Sequence, residues 1–264
     1  LEVALKIFLR KILVFNVSHN SIVDNGCNPN QSVICDHEIP KKQTVAGAGE
    51  REIKYLDIDK WPRREHFHFF SSMDYPHFNL CADVDITRLH SFLKKHDLPF
   101  FSAVLYLSAR AANAIEEFHY RIRGDRVVIH ERIDPAITVL GKDDIFGYCT
   151  IEYRPEPREF LAAAAAAIAE AKANPTIAED SSRDDVLYYT CIPWISFTSL
   201  THPINLHPVD SIPRIAWGKY YSAGGRLLLP HSVQAHHGLM DGLHAGRYFI
   251  LFQELLDQPE VLLE

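Results

Sequence analysis

The chain has 264 residues, 47% hydrophobic and 23% charged, enough for one substantial core or at most two small domains. Its formal net charge is −7, with no basic block, which excludes a nucleic-acid partner held by phosphate contacts. Five cysteines (Cys27, Cys35, Cys81, Cys149 and Cys191) are odd in number and lack Cys-x-x-Cys spacing, so a reducing compartment such as the cytoplasm fits better than a disulfide framework or a zinc site.

Residues 1–17 are apolar but interrupted by Lys6, Arg10 and Lys11; the run Ile12 to Phe15 is far too short to span a membrane. No small-x-small cleavage pattern follows. Residues 18–50 are rich in Asn, Ser, Gly and Lys without periodicity. Residues 1–50 are therefore expected to be a poorly ordered extension, and residues 51–264 the folded domain. Phe78 to Ile86 alternates as a strand, and a helix is predicted from Thr87, as N-cap, to about Lys95. A buried helix should run from Phe101 to Ile115, being apolar on most of its circumference.

Tyr120–Arg123 and Arg126–His130 flank Gly124-Asp125 as a hairpin, and Ala136–Leu140 reads as a further strand. Glu159 to Ala173, with six consecutive alanines at 162–167, predicts a helix ending before Pro175. Strand-like runs follow at Val186–Cys191, Ile195–Ser199 and Ile215–Tyr221. The last is joined through Ala223-Gly224-Gly225 to Leu227–Val233 as a second hairpin. A helical pattern begins at Leu243 and continues through Tyr248, Ile250, Leu251 and Leu255. Strands in hairpins with helices interspersed predict an α/β fold, a two-layer sandwich on a mixed sheet.

The segment Gln234 to Gly242 concentrates the chemistry. His236 and His237 stand at a strand end just before Asp241-Gly242 and a helix start. Histidine is the side chain whose ordinary pKa lies near neutrality, so it can take up and return a proton at working pH. Adjacent histidines on a strand point to opposite faces, which argues against a shared metal site. Three other segments stand out: Trp61 to Phe70, with an arginine pair and an aromatic cluster; Pro193 to Ser199, with hydroxyls between large apolar side chains; and Trp217 to Tyr221. Taken singly, they read equally well as a helix start, a half-buried strand and an edge strand.

Together, Arg63 to Phe70, Trp194 to Ser199, Gly218 to Tyr221 and His236 to Gly242 resemble, in order and separation, the motifs of type A chloramphenicol acetyltransferases. The match covers roughly residues 53–258. The His-His-x-x-x-Asp-Gly motif alone is shared with condensation domains, plant acyltransferases and, in a near variant, the acyltransferase cores of 2-oxoacid dehydrogenase complexes; the other segments narrow the choice. The resemblance implies acetyl transfer from acetyl-CoA, as co-substrate and without a metal, to a hydroxyl of chloramphenicol or a related small alcohol, and hence antibiotic resistance. It gives His237 as general base, Ser199 as donor to the oxyanion, and Asp241 paired with Arg63 as a brace for the loop carrying the base. Lys219 and Tyr220 match contacts to the adenosine end of CoA, and Phe69, Phe70 and Leu140 match the acceptor pocket. It further implies a homotrimer with active sites at subunit interfaces, the base coming from one subunit and much of the pocket from its neighbour.

The sequence departs from the family pattern in places. Ala216 stands where a threonine holding an ordered water is usual, Leu140 where an aromatic is expected, and Phe70 where some members carry tyrosine. Gly238-Leu239-Met240 replaces Ala-Val-Cys. These bear on the acceptor more than on the chemistry. An acyltransferase of the same fold with another donor or acceptor (condensation-type or dihydrolipoamide-type) and a non-catalytic ligand-binding homologue stay open as alternatives.

Overall fold

The computed structural model describes residues 54–178 and 183–263; the expected extension 1–50, with Cys27 and Cys35, lies outside them. In chain order the strands are β1 (Lys54–Tyr55), β2 (His77–Asp85), β3 (Tyr120–Arg123), β4 (Arg126–Ile129), β5 (Asp134–Leu140), β6 (Phe146–Thr150), β7 (Val186–Ile192), β8 (Arg214–Gly218), β9 (Tyr221–Ala223) and β10 (Arg226–His236). The helices are α1 (Arg64–Ser71), α2 (Thr87–His96), α3 (Phe100–Asn113), α4 (Pro157–Ala173) and α5 (Gly242–Asp257). The main sheet has the order β2-β10-β8-β7-β5-β6, with β9 paired to β10. Its β5–β7 and β7–β8 pairs are parallel and the rest antiparallel, so the sheet is mixed.

Strand alternation decides which face carries helices. Ile137, Val139, Leu187, Tyr189, Ile215, Trp217, Leu229, Val233 and Ala235 share one face and join α2, α3, α4 and α5 in one core. The opposite face presents Asn79, Ser232, Gln234 and His236 and is crossed by the segment after β7: Asn79 Nδ2 donates to the Leu200 carbonyl, and His202 N donates to Gln234 Oε1. The short sheet β1-β4-β3 carries a second cluster of Phe67, Tyr120, Val127 and Leu239, joined by Trp61.

Inside the main core runs a polar chain. His231 Nε2 bonds Tyr248 Oη at 2.8 Å, Tyr248 Oη bonds Ser108 Oγ at 2.6 Å, and Ser108 Oγ bonds Tyr189 Oη at 3.2 Å. The alanine-rich helix α4 is not a bare surface element, because Phe160, Ala164 and Ala171 are buried in the core. Past α4 the chain turns back along β6. Tyr148 N donates to the Thr176 carbonyl at 2.8 Å, and a Cβ on Gly147 would stand 2.7 Å from Thr176 N, so only glycine admits this approach.

Three expectations need correction, and one strand was not expected. Ile195–Ser199 is not a strand; with β7 ended before Pro193, it has no strand to pair with, and Trp194 and Ile195 are 65% and 58% exposed. The run Ile215–Tyr221 is broken at Lys219-Tyr220, because Lys219 N leaves the sheet to donate to the Ile195 carbonyl at 2.8 Å. Thr87 is the first residue of α2 rather than its cap: Asp85 Oδ1 accepts from Thr87 N at 2.9 Å, while Thr87 Oγ1 accepts from Leu227 N at 2.9 Å. Finally, β6 was unforeseen, since Phe146-Gly147-Tyr148 carries no clear alternation.

Candidate active site

The segment 236–242 is held by its apolar residues before any chemistry is considered. Leu239 is buried in the small cluster and Met240 in the main core, so the turn from β10 to α5 is pinned on both sides. A Cβ on Gly238 would lie 3.0 Å from the His236 ring and 3.3 Å from the Phe67 carbonyl, which accounts for glycine there. His236 is buried, its Nδ1 accepts from Gly238 N at 3.1 Å, and burial first, then the neighbouring His77 and His237, push its pKa down to about 4. It is neutral at neutral pH and structural.

His237 lies just past the strand, on the other side from His236. Its ring stacks on Phe70 with centroids 3.7 Å apart and planes 5° from parallel, and Phe78 closes on it at 4.9 Å. His237 N donates to the Pro76 carbonyl at 2.7 Å. Nδ1 is buried without a partner. The imidazole thus has two aromatic walls and a fixed backbone.

Arg63 and Asp241 form an ion pair across 178 positions of sequence, and Arg63 Nη2 also donates to the His237 carbonyl at 3.3 Å. Arg63 immediately precedes α1, so the guanidinium ties that helix to the turn carrying His237. The two side chains are 15% and 29% exposed, shielded enough for the pair to matter but not dry. Burial alone would raise the Asp241 carboxyl, but the Arg63 bond, the Leu243 N–H and the charges of Arg63 and His244 outweigh it and hold the pKa low. Asp241 also caps α5 through Leu243 N at 2.9 Å, and its own N–H donates to His244 Nδ1 at 3.1 Å. His244 Nε2 in turn meets Glu117 Oε1 at 3.1 Å.

Sequence reasoning passed over His244, Glu117 and Phe78. Asp-x-x-His at a helix start has capping-box spacing and could have flagged His244. No local signal links Glu117 or Phe78 to the turn.

The remaining candidates gather elsewhere. Ser199 lines an open cleft of about 660 Å³ with Cys81, Asp83, Ser196, Thr198 and Tyr221. Cys81 and Asp83 pair with Ser232 and Pro230, so this cleft lies four to six residues down β10 from His236, roughly 13–20 Å. Lys219 and Tyr220 join the same end: Ser196 Oγ donates to the Lys219 carbonyl at 2.6 Å, and a Cβ on Gly218 would stand 2.8 Å from the Ile195 carbonyl. Leu140 ends β5, whose parallel register beside β7 carries it toward the level of Ile192 and Gly218. One chain therefore groups His237, Arg63, Asp241, Phe69 and Phe70 at one end of the sheet. Lys219, Tyr220 and Leu140 belong to the other, and the cleft that Ser199 lines runs between, Leu200 beside it being held by Asn79 opposite Gln234. Among the described residues, no group of three or more His, Cys, Asp or Glu side chains could hold a metal, and no helix is long and apolar enough to cross a membrane.

Comparison with known proteins gives this arrangement its context. The family model for chloramphenicol acetyltransferase matches residues 52–253. A chloramphenicol acetyltransferase of Klebsiella sp is 30% identical over 206 residues, covering 77% of this chain and 93% of that protein. Chloramphenicol acetyltransferase 3 of Escherichia coli is 29% identical over 202 residues, covering 76% and 95%. A solved chloramphenicol acetyltransferase superposes with a TM-score of 0.69 at 26% identity, over 77% of this chain and 99% of that one. The dihydrolipoamide acetyltransferase of Azotobacter vinelandii, with a TM-score of 0.56 at 19% identity over 76% and 88%, shares the fold. The chain belongs to the chloramphenicol acetyltransferase family, within the CoA-dependent acyltransferase superfamily, and is an acyltransferase of that fold with acetyl-CoA as its family's co-substrate.

Proposed function

We propose that the protein is an O-acetyltransferase in which His237 removes the proton from an acceptor hydroxyl as the oxygen attacks the acetyl thioester. The observation that carries this reading is the fixed imidazole, walled by Phe70 and Phe78, with its backbone tied to Arg63 and Pro76. An alcohol ionises far too weakly at neutral pH to attack unaided, and a positioned base is worth ~10²–10⁴-fold. A base serves best when its ring cannot turn away, and the stacking supports that. Arg63 and Asp241 act as the brace and not as a proton relay, since both are occupied by each other and by the backbone.

Ser199 donates to the oxyanion of the tetrahedral intermediate, Lys219 and Tyr220 meet the adenosine end of CoA, and Phe69, Phe70 and Leu140 line the acceptor pocket. These roles require His237 and Ser199 to meet, and the cleft that Ser199 lines opens down β10 from His236, along Cys81 and Asp83. The site is therefore completed by a second copy, whose Ser199 end seats against the His237 end of the first. Such a head-to-tail contact closes into a ring, and we infer the homotrimer of the family. Exposed apolar side chains stand ready at both ends: Phe69, Met73 and Tyr75 at one, Leu140, Phe146 and Trp194 at the other. The free thiols of Cys81, Cys149 and Cys191 suit a reducing, cytoplasmic setting.

Release of free thiol from acetyl-CoA, first with chloramphenicol and then with other small alcohols, tests the reading. Thiol release that depends on an added alcohol is expected. Acetyl transfer only from a carrier-bound thioester, or ligand binding with no release across the panel, would overturn it.

A further inference from the structure

The turn ahead of β3 touches the helix that follows the base. Residues Glu116–His119 form a short helical turn after α3, and Phe118 in it is buried against Tyr248 of α5, with ring centroids 5.2 Å apart. Tyr248 lies one turn beyond His244 on the same helix. This anchor carries Glu117 to the start of α5, where its Oε1 stands 3.1 Å from His244 Nε2; the two side chains are 17% and 7% exposed. A carboxylate from a distant part of the sequence thus meets the histidine that closes the capping box.

The bonds of this ring assign its proton. A carboxylate accepts and does not donate, so Nε2 carries the hydrogen that meets Glu117. The other nitrogen then has a lone pair, and Nδ1 accepts from Asp241 N–H at 3.1 Å. Asp241 Oδ1 lies 2.9 Å from the same Nδ1, and it is served instead by Leu243 N–H at 2.9 Å. In the opposite tautomer Nδ1–H would bond that oxygen in competition with the cap, and Asp241 N–H would lose its acceptor. Which nitrogen holds the proton is set by the bond the other makes, and here Glu117 makes it. Asp241 keeps its second oxygen for Arg63, whose Nη2 donates to the His237 carbonyl.

We propose that Glu117 and His244 are positioning residues for His237, Glu117 holding the His244 tautomer that leaves the Asp241 carboxylate to Arg63 and to the cap of α5. This rests on the reading of His237 as the base and extends it: the ion pair that steadies the turn is itself steadied from the connection between α3 and β3. Both residues act through Asp241, so their loss should appear in kcat and not in the KM of donor or acceptor.

Variants of the full chain test this, by alcohol-dependent thiol release from acetyl-CoA, by chemical denaturation and by NMR of the imidazole nitrogens. Glu117→Leu is expected to lower kcat by about 5- to 50-fold at unchanged KM, short of the ~10²-fold that a misplacement of ~1 Å costs. Glu117→Gln should recover most of that loss, because its amide oxygen still accepts from Nε2–H. His244→Ala should lower both kcat and the denaturation midpoint. His244→Gln should restore the midpoint, since glutamine at this position completes a capping box, but not kcat, since the ring that links Glu117 to Asp241 is gone. Wild type should show the Nε2–H tautomer at His244, and Glu117→Leu should change that signal and move those of His237. Wild-type kcat in Glu117→Leu, kcat that tracks the midpoint across all variants, or His237 signals unmoved by Glu117→Leu overturns the proposal. Absence of thiol release from wild type with every alcohol overturns the acetyl-transfer reading instead, and the spectra still decide the link from Glu117 to His237.

Discussion

The two ends of the main sheet are built on opposite plans. At the His237 end the side chains are clamped: two aromatic rings, an ion pair, a capping box and two buried apolar anchors converge on one turn. At the Ser199 end an irregular segment leaves Trp194 and Ile195 in solvent and lines an open cleft. The first end is finished by its own chain. The second is left open by its own chain. A side chain held from several sides keeps one orientation without help from a ligand.

The widest separation between the ends comes from removing the base. His237→Ala is expected to lower thiol release by ~10²–10⁴-fold while the circular dichroism spectrum and melting temperature stay close to wild type. Retention of most of the rate would remove His237 from the role. Ser199→Ala should cost roughly 3–4 kcal/mol of transition-state stabilisation, as loss of one oxyanion donor does elsewhere. The sharper use of that variant is in mixture. Ser199→Ala and His237→Ala chains, each nearly inactive, should recover activity when unfolded and reassembled together, because some interfaces then join an intact base to an intact serine. No recovery would mean that the two ends do not meet across copies.

Arg63→Ala should act on the clamped end alone. It strands Asp241 and releases the His237 carbonyl, costing about 2–4 kcal/mol of stability, below the fully buried range because Asp241 is partly exposed. Chemical denaturation reads this, and kcat should fall more than the donor's KM rises.

A pH-dependent effect concerns the polar chain beneath the sheet. Burial pushes the pKa of His231 down to about 3 from 6.5, so the unfolded chain binds the proton first. Its contribution to stability is fully present above pH 6.5 and is lost as pH falls from there toward about 3. His231→Leu should flatten the fall of the denaturation midpoint across that window. An unchanged slope would assign the acid sensitivity to the other buried histidines.

How far the sequence could be read differs between the two ends for a physical reason. The clamped end was partly legible because some of its parts are encoded locally: a strand run ahead of the histidine pair and an aspartate at a helix start. The pairing of Asp241 with Arg63 came from resemblance, since no period connects residues so far apart. At the open end, alternation in Trp194 to Ser199 imitated a strand. Large side chains left in solvent, as Trp194 and Ile195 are, look in sequence like side chains meant for a core. The helices were nearly right because their apolar faces serve one core, and α2 missed its cap only because Asp85 reaches Thr87 from outside the helix.

Gly147 shows what the other margin of the sheet needs. By letting the chain after α4 lie against β6, it hides the unpaired backbone of a terminal strand that would otherwise be a template for stray chains. A side chain there would prise that cover away. Gly147→Val should therefore be recovered mainly as aggregate from expression, while whatever remains dispersed retains its specific activity, since the defect lies in keeping copies from joining at the wrong margin.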